Sequence, residues 1–405
     1  MNFITRKTKS LWIDQIASKS CEITNPFDFS CMDSYVEGKR IVLLGESSHG
    51  VGDFYTGKIN MIKYLHSVHG FNVVVVESGL LEAVFCRKTL KGLPAREQIQ
   101  HGLLDIYHNE EMLPLFQESW ANGLHLAGMD IQPAYPLISQ TMLEWLKIHT
   151  DAELYASIYQ AETVFFNIDE EIRGQTKLRK QVREQIQVCM NLYQSSLELF
   201  ESRLKEDDPE KEMIFQIIGK GLENRLKWLE INTKSWIASG VMRGMHMFGN
   251  LQWLLEECYK GEKVIVRAHN FHIRKSKTVI SKLFGITNVG QQLSKCYGDQ
   301  VYSIGFYAGK GEFASLLRVN FPINVSKKQL ESLLMEACGH DSFVPLCEKG
   351  LPNRNWLNRR WRLLEAGMMG QLPIAIYPQK HYDGIMFCRK VKPPVYFKRD
   401  GRSMA

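Results

Sequence analysis

The chain has 405 residues, of which 44% are hydrophobic and 23% are charged, and its formal net charge at pH 7 is +6. A chain of this length buries a sizeable core and forms one large domain or two ordinary ones. The small excess of positive charge is spread over a long chain, which argues against nucleic-acid binding.

Features of secreted and membrane proteins are missing from the sequence. The first residues, MNFITRKTKSLWIDQIASKS, carry positive charge but no continuous apolar core, so we predict no signal peptide. No stretch is apolar for long enough to predict a transmembrane helix. The nine cysteines are irregularly spaced and form no CxxC pair, which is typical of reduced thiols. The sequence therefore predicts a cytoplasmic protein without a membrane partner.

The first elements form a strand, a helix and a second strand. The apolar run Ile41–Gly45 predicts a short buried strand. From Phe54 onwards, apolar residues recur at helical spacing, and Gly70 marks the predicted end of that helix. The run FNVVVVES then predicts a buried strand that ends at Glu77. This order is typical of a βαβ unit with parallel strands.

Later strands alternate with a long helical region. Further strands are predicted in LHLAGMDIQP (124–133), KVIVRAHNFHI (263–273), QVYSIGFYAG (300–309) and YPQKHYDGIMFCRK (377–390). Between about 137 and 262 the pattern is helical, with long helices predicted at roughly 182–204 and 222–257. We predict an α/β protein with a mainly parallel central sheet, flanked by helices and carrying this large all-helical insertion, as a single domain over residues 1–405.

Ionisable side chains stand at the carboxyl ends of four predicted strands. They are Glu46 and His49 after the first strand, Glu77 after the second, Asp130 after the third, and His269 and His272 after the fourth. Sites in open α/β sheets form beyond these strand ends. Each residue alone also fits a structural role, as a helix cap or a hydrogen-bonding histidine. Their convergence at one predicted edge favours a functional site.

The helical insertion adds a second group of polar residues. Arg243, His246 and Asn250 lie on one face of a helix whose other residues are mostly apolar. A buried face of this kind requires polar partners, although a solvent-facing stripe is the alternative. Upstream, the four residues Glu223, Arg225, Lys227 and Glu230 are typical of a solvated face.

The sequence lacks the motifs of several common enzyme classes. It contains no G-x-S-x-G, no Walker A sequence and no G-x-G-x-x-G after a strand. Ser47 and Ser48 directly precede His49, a spacing that disfavours triad geometry. Histidine with carboxylates suits general-base activation of water. The same residues are competent metal ligands, although no HExxH is present, and a binding protein without turnover is a third alternative.

Several stretches resemble the erythromycin esterase family. GESSHGVGDF, VVVVESG and RAHNFHI are similar to the family's main blocks, and AGMDIQP, VYSIGFYAG and YDGIMF follow in the family's order over roughly residues 38–390. The resemblance implies an α/β esterase that opens the lactone of a macrolide antibiotic such as erythromycin and so confers resistance, with a small-molecule substrate and no cofactor. His49 would be the general base, Glu46, Glu77 and His269 would line the same site, and Arg243 would polarise the ester or stabilise the oxyanion.

Other predicted site residues and departures from the family concern the substrate. We predict substrate contacts from the strand-end and helix residues Asp53, Asp130, His246, Phe271 and His272. Where the family often carries Arg-Glu after the HG pair, this chain has Gly52 and Asp53, and Arg243 is followed by Gly244 rather than by Asp. The resemblance therefore supports the reaction type more strongly than the substrate.

Overall fold

The computed structural model describes residues 5–172, 178–203, 208–352, 355–367 and 370–398. Its strands are β1 (Cys21–Glu22), β2 (Ile41–Leu44), β3 (Phe71–Gly79), β4 (His125–Asp130), β5 (Lys263–Arg267), β6 (Val301–Ala314), β7 (Asn320–Pro322), β8 (Ser342–Pro345), β9 (Trp361–Gly367), β10 (Gly370–Ile376) and β11 (Gly384–Val391). Its α-helices are α1 (Arg6–Ala17), α2 (Asp33–Val36), α3 (Gly52–His69), α4 (Leu80–Thr89), α5 (Ala95–Gly102), α6 (Pro114–Gln117), α7 (Pro136–His149), α8 (Ala152–Ile172), α9 (Lys180–Glu201), α10 (Pro209–Asn232), α11 (Trp236–Trp253), α12 (Asn270–Ile273), α13 (Val279–Leu283), α14 (Val289–Tyr297), α15 (Leu330–Ala337) and α16 (Pro378–His381).

A nine-stranded, mostly parallel sheet forms the centre of the fold. The strand order is β1-β8-β11-β6-β2-β5-β3-β4, with β7 paired to β6, and β9 and β10 form a separate hairpin. Strand β2 is parallel to β5 and β6, and β6 is parallel to β11. Strand β8 is antiparallel to β1 and β11. Together with the helices α8 to α11, this sheet confirms the predicted α/β class with a helical insertion.

The register of the central strands aligns their carboxyl ends. Leu44, the last residue of β2, pairs with Arg267 of β5 and with Ile304 of β6. Every residue of β2 is buried, as its uninterrupted apolar sequence requires of a strand covered on both faces. Because Leu44 and Arg267 are the last residues of β2 and β5 and pair with each other, Glu46 and His269 each lie two residues beyond this pair.

The described chain divides into two compact units. One contains the residues up to Val75, Asn109–Leu124 and Gly261–Tyr396, and the other contains Val76–His108, His125–Lys260 and the residues from Phe397 onwards. The first holds β2, β5, β6 and β11 with helix α3, and the second holds β4 with the helices of the insertion.

The six strands predicted from the sequence are present, but one predicted helix is wrong. The pattern over 222–257 predicts one helix, whereas the structure has α10 and α11 with a break between Asn232 and Trp236. Polar side chains bind the backbone at this break. The Thr233 hydroxyl donates to the Glu230 carbonyl at 2.7 Å, and Ser235 caps α11 by accepting from the Ala238 N–H at 3.4 Å.

Arg225 corrects a second expectation, because it lies inside the helical insertion rather than on a solvated face. It is only 1% exposed, and its guanidinium bonds Glu82 of α4 at 2.7 Å and Glu162 of α8 at 3.4 Å. The Tyr193 hydroxyl of α9 donates to the same Glu162 carboxylate. This buried network joins four helices of the second unit, since Arg225 itself belongs to α10.

Candidate active site

The loop after β2 approaches its neighbours so closely that glycine is required. The Gly45 N–H donates to the Ile304 carbonyl at 2.8 Å, and the Ser47 N–H donates to the Phe306 carbonyl at 3.0 Å, so the loop continues the pairing with β6. A Cβ atom on Gly45 would lie 2.0 Å from Asn270 Oδ1. Ser48 binds within the loop, where its hydroxyl accepts from the Gly50 N–H at 3.1 Å.

Glu46 and His49 form a hydrogen-bonded pair in this loop. Glu46 is fully buried, and its Oε1 lies 2.6 Å from His49 Nδ1, whereas the His49 side chain is 19% exposed. Since an ionised carboxylate only accepts hydrogen bonds, Nδ1 carries the imidazole proton. When the ring is neutral, its unprotonated nitrogen is therefore Nε2, and an unprotonated ring nitrogen is what a general base requires.

Lys58 of α3 is a site residue that the sequence analysis missed. It is fully buried, and its ammonium pairs with Glu46 Oε2. Burial raises the pKa of Glu46, but the charge of Lys58, the hydrogen bond and charge of His49, and the charge of Arg267 outweigh burial and lower the pKa to about 2. The helical spacing could have indicated its burial, because Lys58 lies four residues after Phe54 on the buried face of α3.

His269 lies beside His49 at the end of β5. The two rings are 5.1 Å apart between centroids and inclined by 55°. His269 caps α12, and its Nδ1 accepts from the Phe271 N–H at 3.1 Å. The proton of the neutral ring is therefore on Nε2, so His269 presents a donor where His49 presents an acceptor. His272 is buried next to them, and its ring packs edge-on against Phe271 at 5.1 Å.

Asn270 and β9 fix the loops that carry the two histidines. The Asn270 N–H donates to the Glu46 carbonyl at 2.8 Å, and its side-chain amide donates to the Phe306 carbonyl at 3.1 Å. The Ala366 N–H of β9 donates to the Ser47 carbonyl at 2.7 Å. These bonds tie the end of β5 and the loop after β2 to the same neighbours.

A buried ion pair involves Arg274, which directly follows α12, the helix that His269 caps. The carboxylate of Glu365, on β9, pairs with the Arg274 guanidinium and accepts from the Tyr307 hydroxyl at 2.8 Å. Tyr382 joins the group, because its hydroxyl lies 3.0 Å from that of Tyr307. Residues from the IGFYAG and YDGIMF stretches thus meet Arg274, which directly follows RAHNFHI, in one network.

The second unit holds a separate cluster at the end of β4. The Asp130 carboxylate is buried and binds Arg243 of α11 through two contacts, one of which joins Nε and Oδ1 at 3.0 Å. Arg243 Nη2 also lies 3.9 Å from Glu77 Oε1. Burial lowers the pKa of Arg243, but the charges of Asp130 and Glu77 outweigh it and raise the pKa above its usual value. Asn250 donates to the Met129 carbonyl at 3.1 Å.

Two of the residues predicted to contact substrate, His246 and Asp53, interact with other residues of the protein. His246 lies among the charges of Lys227 and Glu230 on α10, and burial lowers its pKa. Arg243 and Asn250 bind β4, so the polar face predicted on this helix is divided between two neighbours. Asp53 Oδ2 accepts from the Lys392 N–H at 2.6 Å. In the part of the chain that the structure describes, no three or more His, Cys, Asp or Glu residues are grouped to hold a metal ion.

The central sheet is mostly parallel, and its carboxylate-bound histidine lies at the strand ends, which is where sites form in open α/β sheets. The family model described as erythromycin esterase matches residues 66–391. The chain belongs to the erythromycin esterase family. The model match begins after the loop that holds Glu46 and His49.

Known proteins are similar over most of the chain. The putative hydrolase YbfO of Bacillus subtilis is 27% identical, over 92% of this chain and 88% of YbfO. Erythromycin esterase type II of Escherichia coli is 24% identical, over 71% of this chain and 74% of that protein. Among solved structures, a Bacillus cereus protein has a TM-score of 0.78 at 19% identity, with 96% and 99% of the two chains covered. A mutant of erythromycin esterase EreC in its open conformation has a TM-score of 0.69 at 16% identity, with 93% and 98% covered.

Proposed function

We propose that this protein hydrolyses a carboxylic ester, with the lactone of an erythromycin-like macrolide as the first candidate, and that His49 is the general base. The observation that carries the proposal is the Glu46–His49 pair, in which Nδ1 donates to a buried carboxylate at 2.6 Å, so that the neutral ring accepts a proton at Nε2. The similarity to erythromycin esterase type II of Escherichia coli supports the macrolide as substrate. Such an activity would make the protein a macrolide-resistance enzyme.

The proposed reaction has two proton transfers at His49. Nε2 takes a proton from water as the water oxygen attacks the ester carbonyl carbon, and the carbonyl oxygen becomes an oxyanion. When this intermediate collapses, the ester C–O bond breaks and the imidazolium returns the proton to the leaving alkoxide. The products are a carboxylic acid and an alcohol, which remain one molecule when the ester is a lactone. Glu46 stabilises the imidazolium between the two steps.

The remaining site residues take proposed roles in the same reaction. His269 has a donor on Nε2 beside His49, which suits stabilisation of the oxyanion or of the leaving oxygen. The family resemblance supports Glu77 as a further site residue and Arg243 as a residue that polarises the ester. It also supports substrate contacts from the residues Asp53, Asp130, His246, Phe271 and His272.

A hydrolysis panel tests this proposal. Fourteen- and sixteen-membered macrolides and simple lactones are incubated with the wild type and with His49→Ala, and mass spectrometry follows the addition of one water. We expect the wild type to convert at least one substrate, and His49→Ala to lose about two to four orders of magnitude in kcat/KM. His340→Ala, at an exposed histidine of the same unit, is the matched control and should retain wild-type activity.

Two results would contradict the proposal. If His49→Ala hydrolyses the substrate at the wild-type rate, His49 is not the base. If no ester in the panel gains water and each remains bound at unchanged mass, the protein is a binding protein. Activity after dialysis against a chelator, with elemental analysis of the same sample, decides the metal-dependent alternative.

A further inference from the structure

Two segments from elsewhere in the chain flank the loop that carries Glu46 and His49. On one side, the Gly50 carbonyl accepts from the Ala314 N–H at 2.8 Å, and a Cβ atom on Gly50 would lie 1.7 Å from the Ala314 carbonyl oxygen. Ala314 ends β6, and a tight turn over 315–319 then leads into β7. This turn therefore starts at the surface of the histidine loop.

On the other side lies the C-terminal segment, residues 392–396. The Gly52 N–H donates to the Lys392 carbonyl at 2.8 Å, and the Lys392 N–H donates to Asp53 at 2.6 Å. The Val395 N–H donates to the Glu111 carboxylate at 3.1 Å. A Cβ atom at Gly52 would lie 3.0 Å from the Pro393 carbonyl oxygen. Because Gly52 has no side chain, the C-terminal segment can approach the histidine loop this closely.

Arg318 and Tyr396 connect these two segments. The Arg318 guanidinium carbon lies 4.5 Å from the centre of the Tyr396 ring, a cation–π distance. Tyr396 is half-buried, and burial raises its pKa to about 12, with Arg318 opposing the rise and the charges of Glu111 and Glu46 adding to it. Because Ala314 binds Gly50 and Lys392 binds Gly52, the segments that hold the stacked pair both adjoin the loop that carries Glu46 and His49.

Arg318 adopts a backbone conformation that favours glycine. Its φ is 61°, and among the residues that the structure describes it is the only non-glycine residue with a positive φ. A left-handed arginine costs on the order of 1 kcal/mol, and such strain persists where other contacts fix it, commonly at functional sites. Here the strained residue directs its guanidinium onto a ring next to the histidine loop.

We propose that Arg318 and Tyr396 form a substrate-selecting wall beside His49. The wall takes the apolar part of the ester, and the absence of a side chain at Gly52 leaves room for the segment that carries Tyr396. The inference rests on the proposed esterase function for its kinetic consequence, but the position of the wall is a separate claim. A stack with only a structural role would change stability and leave both substrate ranking and access to His49 unchanged.

The test uses the full chain and four variants. Tyr396→Ala removes the ring, whereas Arg318→Gly removes the cation at a backbone position that glycine adopts without strain, so this variant is expected to fold. Tyr396→Phe keeps the ring and loses the hydroxyl. Tyr377→Ala is the matched control, because Tyr377 is a part-exposed tyrosine of the same unit with Lys380 5.1 Å from its ring centre.

The first measurement does not depend on hydrolysis. Diethyl pyrocarbonate acylates accessible histidines, and peptide mass spectrometry gives the labelling rate at His49. We expect Tyr396→Ala and Arg318→Gly to raise this rate several-fold, with Tyr396→Phe and Tyr377→Ala near the wild type. Unchanged labelling in both Tyr396→Ala and Arg318→Gly overturns the wall, whether or not the wild type hydrolyses any ester.

The second measurement is kcat and KM for the ester panel. We expect Tyr396→Ala and Arg318→Gly to raise KM several-fold for the preferred ester, with a smaller change in kcat, and to level the ranking of substrates. An unchanged ranking overturns the selective role even if labelling rises. If the wild type cleaves no ester while labelling rises as expected, the proposed function fails and the wall remains.

Discussion

At the scale of single residues, the charge of the Glu46 carboxylate determines the tautomer of His49 and therefore the chemistry of the candidate site. It is fully buried, yet the positive charges of Lys58 and Arg267 and its bond to His49 keep its pKa at about 2. An ionised carboxylate holds the His49 proton on Nδ1. A protonated Glu46 would donate instead, and the histidine would lose its fixed tautomer.

Lys58→Met tests this dependence. The folded-state pKa of Glu46 is about 2, below its usual value of 4.5, so Glu46 contributes stability that is present above pH 4.5 and is lost as the pH falls towards 2. Without Lys58, burial is opposed less and the folded-state pKa of Glu46 rises, so we expect the loss of stability on acidification to become smaller. Melting temperatures between pH 3 and 8 measure this change, and the acid limb of kcat/KM should move to higher pH, because Glu46 is then protonated at higher pH. Lys58→Arg keeps the charge, and a Met variant that titrates like the wild type would refute the assigned role.

Glu331 of α15 is also a buried carboxyl group, but its pKa is raised, whereas that of Glu46 is lowered. It accepts from the Leu364 N–H of β9 through Oε1, whereas Oε2 has no hydrogen-bond partner among the described residues. Burial raises its pKa to about 8, and the Glu365 charge adds to the rise. At neutral pH Glu331 is therefore mostly uncharged in the folded protein.

We predict that Glu331→Gln stabilises the protein at alkaline pH. The folded-state pKa of about 8 exceeds the usual 4.5, so the stability that Glu331 contributes is full below pH 4.5 and is lost as the pH rises to 8 and above. Gln removes this penalty and still accepts from Leu364. Chemical denaturation at pH 5 and pH 9 should show little difference at pH 5 and a gain of up to several kcal/mol at pH 9. An equal effect at both pH values would contradict the assignment.

The strand-end residues of the site were predicted from the sequence, but the residues that bind and orient them were not. Glu46, His49 and His269 stand next to apolar strands, where the pattern itself marks them. In the sequence, Lys58 and Glu331 look like ordinary charged residues of helices. The spacing of residues assigns each to a face of its helix but does not identify the group that packs against it in the fold. Burial and partner together decide what such a residue does.

At the scale of elements, β9 connects both histidine-bearing segments. Its Ala366 N–H binds the Ser47 carbonyl at 2.7 Å, and its Glu365 side chain holds Arg274, just beyond α12. The sequence analysis predicted no strand here. The hairpin of β9 and β10 is separate from the main sheet, and the β9 sequence, WRLLEAG, contains Glu365, whose charge is paired with Arg274 only in the folded protein.

Glu365→Ala should disrupt both stability and catalysis. It leaves Arg274 buried without its carboxylate, and loss of one partner from a buried pair costs about 3–5 kcal/mol. The matched control is Glu336→Ala, which breaks the exposed Lys9–Glu336 pair and should cost about 1 kcal/mol or less. Urea denaturation gives both values, and kcat under stabilising conditions should fall only for Glu365→Ala. Equal costs for the two variants would show that β9 is not held by this ion pair.

The long helices show where periodicity alone fails. The apolar spacing continues from α10 into α11, so it predicted one helix over 222–257. The break depends on side-chain bonds from Thr233 and Ser235, which a periodic pattern does not detect. The same pattern left Arg225 on a solvated face, although two carboxylates from other helices bind it in the interior.

At the scale of the whole molecule, the parallel sheet explains why distant residues meet. Leu44 pairs with both Arg267 and Ile304, so the chain beyond β2 and the chain beyond β5 start at one level. This register brings His49 and His269 to 5.1 Å between ring centres. The βαβ pattern predicted this edge from sequence, whereas Arg318 and Tyr396 come from a turn and a terminal segment that carry no periodic signal.

The central claim is that His49 is a base whose Nε2 is free of a proton when water binds. Histidine side-chain ¹H–¹⁵N correlation spectra of the ¹⁵N-labelled protein at neutral pH, with His49→Ala used to assign the signal, test it most directly. The structure predicts that the neutral form of His49 carries its proton on Nδ1, bonded to Glu46. A neutral His49 with the proton on Nε2 would contradict the account, because that nitrogen could not accept a proton from water.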